Sequence, residues 1–249
     1  MKALKNFAGM VFTIWGGIIF LLTMLIFFIP MWATKFLDEP KKTAVFIKIT
    51  RIWMAIFFPL TGIRLKITGK EHFKKGENYI VVCNHRSMMD VPVSSPGIPG
   101  PNKTIAKIEL TRIPLFGMVY KRGSVLVDRT SDQSRKDSFT EMKRVLDMGM
   151  HMCIYPEGTR NTSNQPLKDF HDGAFRLAVQ TGKPILPAII FNTEIVLPHD
   201  KKFYFWPHPI AMHFLDPVYI EKDEDPSKLK EKIFRIMWDY IKSAKDYRL

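Results

Sequence analysis

The stretch that decides the fold runs from residue 79 to residue 90 and reads YIVVCNHRSMMD. Its first half, Tyr79 to Cys83, is continuously apolar, as in a strand that is covered on both faces of a parallel sheet. Polar residues follow at once, among them His85 and Asp90. Because ligand sites of α/β sheets gather at the carboxyl ends of the strands, this stretch predicts a sheet with a site at one edge.

Similar apolar runs recur along the chain and alternate with amphipathic stretches. The predicted strands are Tyr79 to Cys83, Thr104 to Ala106, Ser124 to Val127, His151 to Tyr155, Ile185 to Ile190 and Ala211 to Leu215. The alternation of strands with helical stretches predicts the α/β class, with a mostly parallel sheet that helices flank.

Three helices are predicted in this region. Apolar residues at helical spacing predict a crossover helix that ends near Gly149, and a short helix from Ala174 to Thr181. A third helix is predicted after the start signal at Asp225, and we expect it to pack on the sheet. By contrast, prolines are frequent from Val91 to Asn102, so we predict a loop there.

The N-terminal part is apolar enough for a membrane. No charged residue occurs from Phe7 to Trp32, and about 20 apolar residues suffice to cross a bilayer. A second apolar stretch, Val45 to Leu60, contains Lys48 and Arg51 and many aromatic residues, which favours the headgroup region. A full crossing and a hairpin in one leaflet remain alternatives. The predicted domains are a membrane anchor of one or two apolar helices, 1–62, and an α/β domain, 63–249.

Charge and cysteine content narrow the function. The 249 residues have a formal net charge of +13, which indicates an anionic partner: nucleic acid, acidic lipid headgroups or a phosphorylated substrate. Nucleic-acid binding is not expected, because the basic residues are dispersed instead of being clustered with aromatic ones. The only two cysteines, Cys83 and Cys153, lie in apolar runs, so we expect buried thiols and no disulfide framework.

His85 and Asp90 are the first candidates for chemistry. A histidine accepts a proton near neutral pH, and a carboxylate on its other ring nitrogen fixes the tautomer, so such a pair makes a general base. From the spacing alone, a surface histidine and a helix-capping aspartate are the commoner explanation. One histidine and one aspartate are too few ligands for a metal site, and none is predicted.

Three further motifs favour a functional site. Arg129 ends the strand that begins at Ser124, and Arg160 ends the segment Tyr155-Pro156-Glu157-Gly158-Thr159-Arg160 after the next strand. Two arginines at strand ends indicate a phosphate clamp, since one guanidinium group can bind two phosphate oxygens at once. The last motif is the apolar strand Ile185 to Ile190, which contains Pro187.

The four blocks, Asn-His-x4-Asp, Gly-x4-Asp-Arg, Pro-Glu-Gly-Thr-Arg and the late proline-containing strand, occur in the order and spacing of the glycerolipid acyltransferases. The chain resembles this family from about Tyr79 to Ile190, and especially its lysophosphatidic acid acyltransferases. The resemblance implies a catalytic base at His85 and its orienting carboxylate at Asp90. It implies substrate-binding roles for Lys107, Arg129, Glu157, Gly158, Thr159 and Arg160. It also implies an acyl channel lined by Ile113, Pro114, Leu115, Phe116 and Gly117.

The resemblance further implies transfer of a fatty acyl group from acyl-CoA or acyl carrier protein to lysophosphatidic acid, which yields phosphatidic acid in phospholipid synthesis. The expected partners are these substrates and membrane lipids, no cofactor is expected, and the active site of a protein in the inner or plasma membrane would face the cytoplasm. Glycerol 3-phosphate, another lysophospholipid or a lyso-amino-acid lipid are alternative acceptors. A non-enzymatic, membrane-anchored binding module is the alternative from another class.

The sequence departs from the family pattern in places. Tyr155 stands where phenylalanine is commoner, and Asn161 where serine is frequent. The proline-rich segment from Val91 to Asn102 falls where the family continues a longer helix, so acceptor shape or membrane docking could differ. Covalent catalysis through Cys83 or Ser87 is not expected, because the first lies in the strand and the second has no triad spacing to His85.

Overall fold

The computed structural model describes residues 2–201 and 203–244, so residues 202 and 245–249 of the predicted second domain lie outside the described part. The α-helices are α1 (Lys2–Ala33), α2 (Lys41–Leu60), α3 (Asp90–Gly97), α4 (Phe116–Gly123), α5 (Asp132–Asp147), α6 (Gly173–Thr181), α7 (Thr193–Val196) and α8 (Pro226–Ser243). The strands are β1 (Leu65–Thr68), β2 (Ile80–Cys83), β3 (Asn102–Lys107), β4 (Ser124–Val127), β5 (His151–Ile154), β6 (Ile185–Phe191) and β7 (Ile210–Phe214).

The strands form a single sheet of seven in the order β1-β7-β6-β2-β5-β3-β4. Among the seven described strands, β6 and β7 pair antiparallel and the other pairs are parallel, so the strands from β6 to β4 all run in one direction. The predicted α/β class with a mostly parallel sheet is confirmed. The carboxyl ends of β2, β5 and β6 therefore meet at one edge of the sheet, with β2 in the centre. β1 was not predicted, because its four residues alternate between half-buried and exposed positions and include Lys66.

Alternate residues of the central strand pack on opposite faces, which gives three layers. Tyr79, Val81 and Cys83 belong to the core beneath α1, α2 and α3. Ile80 and Val82 belong to a second core with α5, α6 and α8. Because both faces of β2 are covered, the strand reads as one apolar run in the sequence.

The three helices predicted in the α/β region are confirmed as α5, α6 and α8. Gly149 and Gly182 adopt positive φ just after α5 and α6, a conformation that glycine reaches without strain. The Asp225 carboxylate accepts the backbone N–H of Ser227 at 2.8 Å and caps α8. The buried side chains of α8 pack in the second core, as predicted for a helix lying on the sheet.

The prediction of a loop from Val91 to Asn102 is wrong, because α3 occupies Asp90–Gly97 and β3 begins at Asn102. Pro92 lies in the first turn of α3, where a helix needs no N–H donor. Pro96 lies next to the end of the helix and interrupts little of it. The prolines therefore shorten this helix without preventing it.

The first two helices are long and apolar enough to cross a membrane by length and composition, over Asn6–Phe36 and Lys41–Leu60. Along α1 a broad apolar face is exposed, including Ile14, Leu22 and Ile26. The two helices pack together, and the Trp53 indole of α2 donates to Thr23 Oγ1 of α1 at 2.9 Å. The division into an anchor ending at residue 62 and a following domain stays a prediction.

A helix in the headgroup region is expected to expose its aromatic residues, but those of α2 do not face outward. Trp53, Phe57 and Phe58 are buried in the core beneath the sheet, where Trp53 and Phe57 contact Phe20 of α1. Arg51 donates to the Pro96 and Ile98 carbonyl oxygens at 2.9 and 3.0 Å. Arg51 and the aromatic residues therefore attach α2 to the domain, whereas Lys48 is exposed.

Candidate active site

His85 and Asp90 meet at the carboxyl end of β2, as their positions predict. His85 Nδ1 lies 2.7 Å from Asp90 Oδ2, and Asp90 is the first residue of α3. The same carboxylate oxygen accepts the backbone N–H groups of Arg86 at 2.7 Å and Ser87 at 2.9 Å. The Asp90 side chain is 1% exposed and the His85 side chain 19%. A carboxylate acceptor requires hydrogen on Nδ1, which leaves Nε2 with the lone pair of a base.

Glu157 fixes the backbone of His85. Its Oε1 accepts the His85 N–H at 2.7 Å, and its Oε2 accepts the Lys168 N–H at 2.9 Å. Burial raises the pKa of this carboxyl, whereas the two backbone donors act in the opposite direction. Both oxygens thus bind backbone N–H groups of the protein. The substrate-binding role that the resemblance implied for Glu157 stays a prediction.

The segment after β5 holds His85 in two further ways. The ring of Tyr155 lies 4.4 Å from the His85 ring, tilted by 30°, and its hydroxyl is 2.6 Å from Ser94 Oγ of α3. The Asn161 N–H donates to the His85 carbonyl oxygen at 2.6 Å. Tyrosine in place of phenylalanine therefore adds a polar link between β5 and α3.

The corner between β6 and α7 contacts the loop that carries His85. The sequence patterns did not predict this contact. The Thr193 hydroxyl donates to Asp90 Oδ1 at 2.5 Å, so both oxygens of that carboxylate accept hydrogen bonds. Next to it, Glu194 Oε1 lies 3.1 Å from Arg86 Nε. The sequence contains a signal for this contact, because Thr193 follows an apolar strand as His85 does, but the family resemblance ends at about Ile190.

Asn84 joins the two central strands beneath this corner. Its Oδ1 accepts the Ile190 N–H at 2.7 Å, and its Nδ2 donates to the Ile190 carbonyl oxygen at 2.9 Å. The side-chain amide of asparagine can pair with a backbone residue as a neighbouring strand would, because it offers an acceptor and a donor side by side. The residue before His85 is therefore fixed to β6 on both sides of its amide.

Neither alternative nucleophile is poised for catalysis. Cys83 and Cys153 are buried free thiols with their sulfur atoms 3.8 Å apart, and the hydrogen bond between them together with burial raises the pKa of Cys83 well above its usual range. A thiol held in its neutral form is a poor nucleophile. The Ser87 hydroxyl donates to the Leu197 carbonyl oxygen at 2.8 Å, and His85 Nδ1 is bound to Asp90.

The cationic side chains predicted to bind substrate lie at the carboxyl ends of neighbouring strands. Lys107 is exposed at the end of β3, and Arg129 and Arg160 are exposed after β4 and β5. Arg129 donates to the Gly158 carbonyl oxygen, which brings two of the sequence motifs together. Lys168 Nζ donates to Thr159 Oγ1 at 2.9 Å, and this lysine was not predicted.

Gly158 has a structural reason of its own. Its φ is +69°, and a Cβ at this position would lie 2.6 Å from the His171 ring. A side chain here would therefore be strained and would collide with a neighbour. The glycine is required for the turn that lets Glu157 reach back to His85.

An apolar cavity of about 420 Å³ lies between α1, α2, α3 and α4. Met88 and Met89 line it on the side of the His85 loop, and Phe20 and Trp53 line it from α1 and α2. Of the predicted acyl channel, only Phe116 reaches this cavity; Ile113, Pro114, Leu115 and Gly117 do not line it. Ile113 and Leu115 are exposed in the turn before α4, and Gly117 is buried against Thr111. The acyl-channel role of all five residues stays a prediction.

Comparisons with known proteins place the chain among acyltransferases. The family model described as Acyltransferase matches residues 64–191. The chain is 30% identical over 183 residues to 1-acyl-sn-glycerol-3-phosphate acyltransferase of Borreliella burgdorferi, covering 71% of this chain and 72% of that one. It is 32% identical over 149 residues to the human 1-acyl-sn-glycerol-3-phosphate acyltransferase alpha, covering 59% of this chain and 52% of that one.

Among solved structures, the fold matches that of the 1-acyl-sn-glycerophosphate acyltransferase PlsC from Thermotoga maritima with a TM-score of 0.82. The match covers 98% of both chains at 22% sequence identity, so it supports the fold, including the two N-terminal helices. With the family model over half of its length and a pair of His85 and Asp90 in the geometry of a general base, this chain belongs to the acyltransferase family.

Proposed function

We propose that the protein transfers a fatty acyl group from a thioester donor, acyl-CoA or acyl carrier protein, to the free hydroxyl of 1-acyl-sn-glycerol 3-phosphate, which forms phosphatidic acid for phospholipid synthesis. The observation that carries this proposal is the 2.7 Å contact of His85 Nδ1 with Asp90 beside an apolar cavity. The names of the relatives support the choice of acceptor.

In the proposed reaction, His85 Nε2 takes the proton of the acceptor hydroxyl while that oxygen attacks the thioester carbonyl carbon. The carbon–sulfur bond then breaks, and the leaving thiolate takes the proton back from His85. Asp90 stabilises the imidazolium between the two steps. No acyl-enzyme and no cofactor beyond the acyl donor is required, because a thiolate is already a good leaving group.

The acceptor phosphate is proposed to lie near the exposed cations at the sheet edge. Lys107, Arg129 and Arg160 follow three neighbouring strands, β3, β4 and β5, that run in one direction. Guanidinium groups bind phosphate oxygens in pairs, and a low-salt medium would strengthen the attraction. Replacing any one of them is expected to raise KM for the acceptor more than it lowers kcat.

The apolar cavity is proposed to hold an acyl chain, with its wall partly made by the N-terminal helices. Gly17 of α1 lines it, and a Cβ there would meet no atom within 4 Å. Gly17→Leu should therefore fill the cavity without disturbing the fold and should shift the preference toward shorter acyl chains. If product analysis shows an unchanged distribution of acyl-chain lengths, the acyl chain does not bind in this cavity.

Membrane anchoring through α1 and α2 is proposed from their length, their hydropathy and the exposed apolar face of α1. The active site is proposed to face the cytoplasm, where the thioester donors are found. Protease treatment of sealed inverted vesicles, with right-side-out vesicles as the control, would test this orientation. Cleavage only in the right-side-out vesicles would contradict it.

The deciding experiment offers the purified full chain an acyl-CoA with a panel of acceptors: lysophosphatidic acid, glycerol 3-phosphate, a zwitterionic lysophospholipid and a phosphate-free lysolipid. Thiol release and the product mass are both measured, with His85→Ala as the inactive variant and His72→Ala as the control outside the site. Lysophosphatidic acid should be the preferred acceptor. Preference for another acceptor would change the substrate but keep the reaction, and no thiol release with any acceptor would favour a binding module.

A further inference from the structure

A second cavity, of about 650 Å³, lies between α2, β1 and α3. Apolar residues such as Phe58, Leu65 and Ile67 line most of it. Its three charged lining residues, Arg51, Arg64 and Lys70, are all cations, and none of the described residues around it is acidic. An apolar cavity with an all-cationic rim matches a ligand that has a hydrocarbon chain and a negative headgroup.

Two cations of this rim, Arg64 and Lys70, differ from the surface arginines that pair with acids. On α5 and α8, exposed arginines pair with acids one turn away, as Arg144 does with Glu141 and Arg235 with Glu231. Within the described part of the chain, neither Arg64 nor Lys70 takes part in an ion pair. Their charge is therefore available to a ligand phosphate.

The cavity opens beside the surface that a membrane would cover. On α2, Ala55 and Pro59 line the cavity, while the neighbouring apolar side chains Ile52, Ile56 and Leu60 are exposed. A lipid could therefore enter sideways from the bilayer without leaving its apolar environment. Free phosphate would gain nothing from the apolar lining, which favours a lipid as the occupant.

The cavity also adjoins the other apolar cavity. Met54, Pro92 and Pro96 line both this cavity and the proposed acyl cavity, so α3 forms part of the wall between them. Arg51 is attached to the end of α3 through the Pro96 and Ile98 carbonyl oxygens. Asp90 begins the same helix. A ligand in the second cavity would thus support the helix that holds the orienting carboxylate.

We propose that this cavity binds an anionic membrane phospholipid, with one acyl chain among the apolar residues of α2 and β1 and its phosphate at Arg64 and Lys70, and that the bound lipid stimulates turnover. This site is distinct from the acceptor site at the carboxyl ends of β3, β4 and β5. Its lipid would be a constant component of the membrane and would not be consumed.

The test uses the purified full chain in a neutral detergent and measures retained lipid by native mass spectrometry, a readout that does not depend on activity. Phosphatidylglycerol is the anionic probe, phosphatidylcholine the zwitterionic one, and inorganic phosphate the headgroup alone. The rim variant, Arg64→Gln with Lys70→Gln, removes the two rim cations proposed to bind the phosphate and leaves Arg51 in place. The control, Lys66→Gln with Lys75→Gln, removes the same charge from residues that do not line the cavity, and Lys66 lies between Leu65 and Ile67 on the same strand.

The wild-type protein and the control should retain phosphatidylglycerol and not phosphatidylcholine, and turnover should rise roughly fivefold with the anionic lipid. The rim variant and Ala55→Phe, which fills the cavity without a change of charge, should lose both effects. Equal losses in the rim variant and the control would reduce the effect to general surface attraction and overturn the proposal. Retention of phosphatidylglycerol by Ala55→Phe, or an equal response to inorganic phosphate, would overturn it as well.

Discussion

Two histidines on neighbouring strands show how the two edges of one sheet differ. His85 follows the carboxyl end of β2, and its Nδ1 contacts the Asp90 carboxylate at 2.7 Å. His151 begins β5 at the opposite edge, and its Nδ1 accepts the backbone N–H of Tyr79 at 3.0 Å. Each ring is thus fixed through Nδ1, but one partner is an acceptor and the other a donor.

The partner of Nδ1 sets the tautomer, and the tautomer sets the use of the ring. At His85, hydrogen on Nδ1 leaves Nε2 as a base in a side chain that is 19% exposed. At His151, the lone pair of Nδ1 is used, so Nε2 carries the hydrogen and donates to the backbone at Pro99 in a residue that is 6% exposed. The same residue type is therefore a candidate base at one edge and a backbone link at the other.

The largest effect should come from changing the partner that distinguishes the two rings. Asp90 Oδ2 accepts hydrogen bonds from His85 Nδ1 and from two backbone N–H groups. In Asp90→Asn the amide NH₂ can instead donate to Nδ1, so the favoured tautomer of His85 carries its hydrogen on Nε2. We expect kcat to fall by roughly 10³ to 10⁴-fold. Steady-state kinetics on acyl-CoA and the preferred acceptor would measure this. Activity within tenfold of wild type would mean that Asp90 does not set the tautomer.

The opposite edge should show its effect in stability against pH. Burial lowers the pKa of His151 to about 4 from an ordinary value of 6.5. Below pH 6.5, His151 binds a proton in the unfolded chain but stays neutral in the folded protein. The free energy of unfolding should therefore fall as the pH drops from 6.5 toward 4. The loss should reach about 3 kcal/mol, since each pKa unit corresponds to about 1.4 kcal/mol.

This expectation is checked by urea unfolding of the full chain in detergent between pH 4 and 7. His151→Gln keeps an acceptor and a donor but cannot titrate, so the difference between the two curves isolates the histidine. Parallel curves for the two proteins would show that His151 does not cause the acid sensitivity. Turnover of the variant at neutral pH should stay close to wild type.

A smaller effect is expected at Thr193, the residue that contacts the second oxygen of Asp90. Thr193→Val keeps the shape and removes the hydroxyl that donates to Oδ1 at 2.5 Å. Hydrogen bonds to charged groups contribute about 1.5–3 kcal/mol, so kcat should fall roughly 10- to 100-fold with little change in KM. Thr193→Ser, which retains the hydroxyl, should restore most of the activity. Equal defects in the two variants would indicate a packing role instead.

The smallest effect is expected from Asn78, which precedes β2 at the edge of His151. Its Nδ2 donates to the Leu146 and Met150 carbonyl oxygens at 2.8 and 3.0 Å. Asn78→Ala should lower the free energy of unfolding by about 1–2 kcal/mol, because it leaves buried acceptors without this donor. Its kcat should be unchanged. A fall in kcat without a fall in stability would contradict the proposal that the edge of His151 affects stability and not catalysis.

Sequence patterns predicted most of the fold because the central strands have a strong signal. β2, β5 and β6 are buried on both faces, and such strands read as continuous apolar runs. β1 escaped prediction because it lies at the edge of the sheet and shows charged residues to solvent. α3 was missed because Pro92 and Pro96 mark loops in general, while their tolerance depends on their place within a helix.

The site was predictable only in part. Pairing of His85 with Asp90 follows from short-range geometry, five residues apart. The contacts of Thr193 with Asp90 and of Glu157 with His85 join residues 103 and 72 positions apart. Such contacts depend on the strand order, which no periodicity reveals. The apolar cavity was not predicted for the same reason, since much of its wall comes from α1 and α2.

The strand order has a consequence for biosynthesis. β1 comes first in the chain but pairs only with β7, whose last residue is Phe214. While the ribosome is still making the intervening strands, β1 lacks its partner β7, and it directly follows the two apolar helices α1 and α2. The sheet is therefore completed only when residues 210–214 emerge. A ribosome stalled before that point would hold a tethered intermediate whose first strand is open to proteases and chaperones.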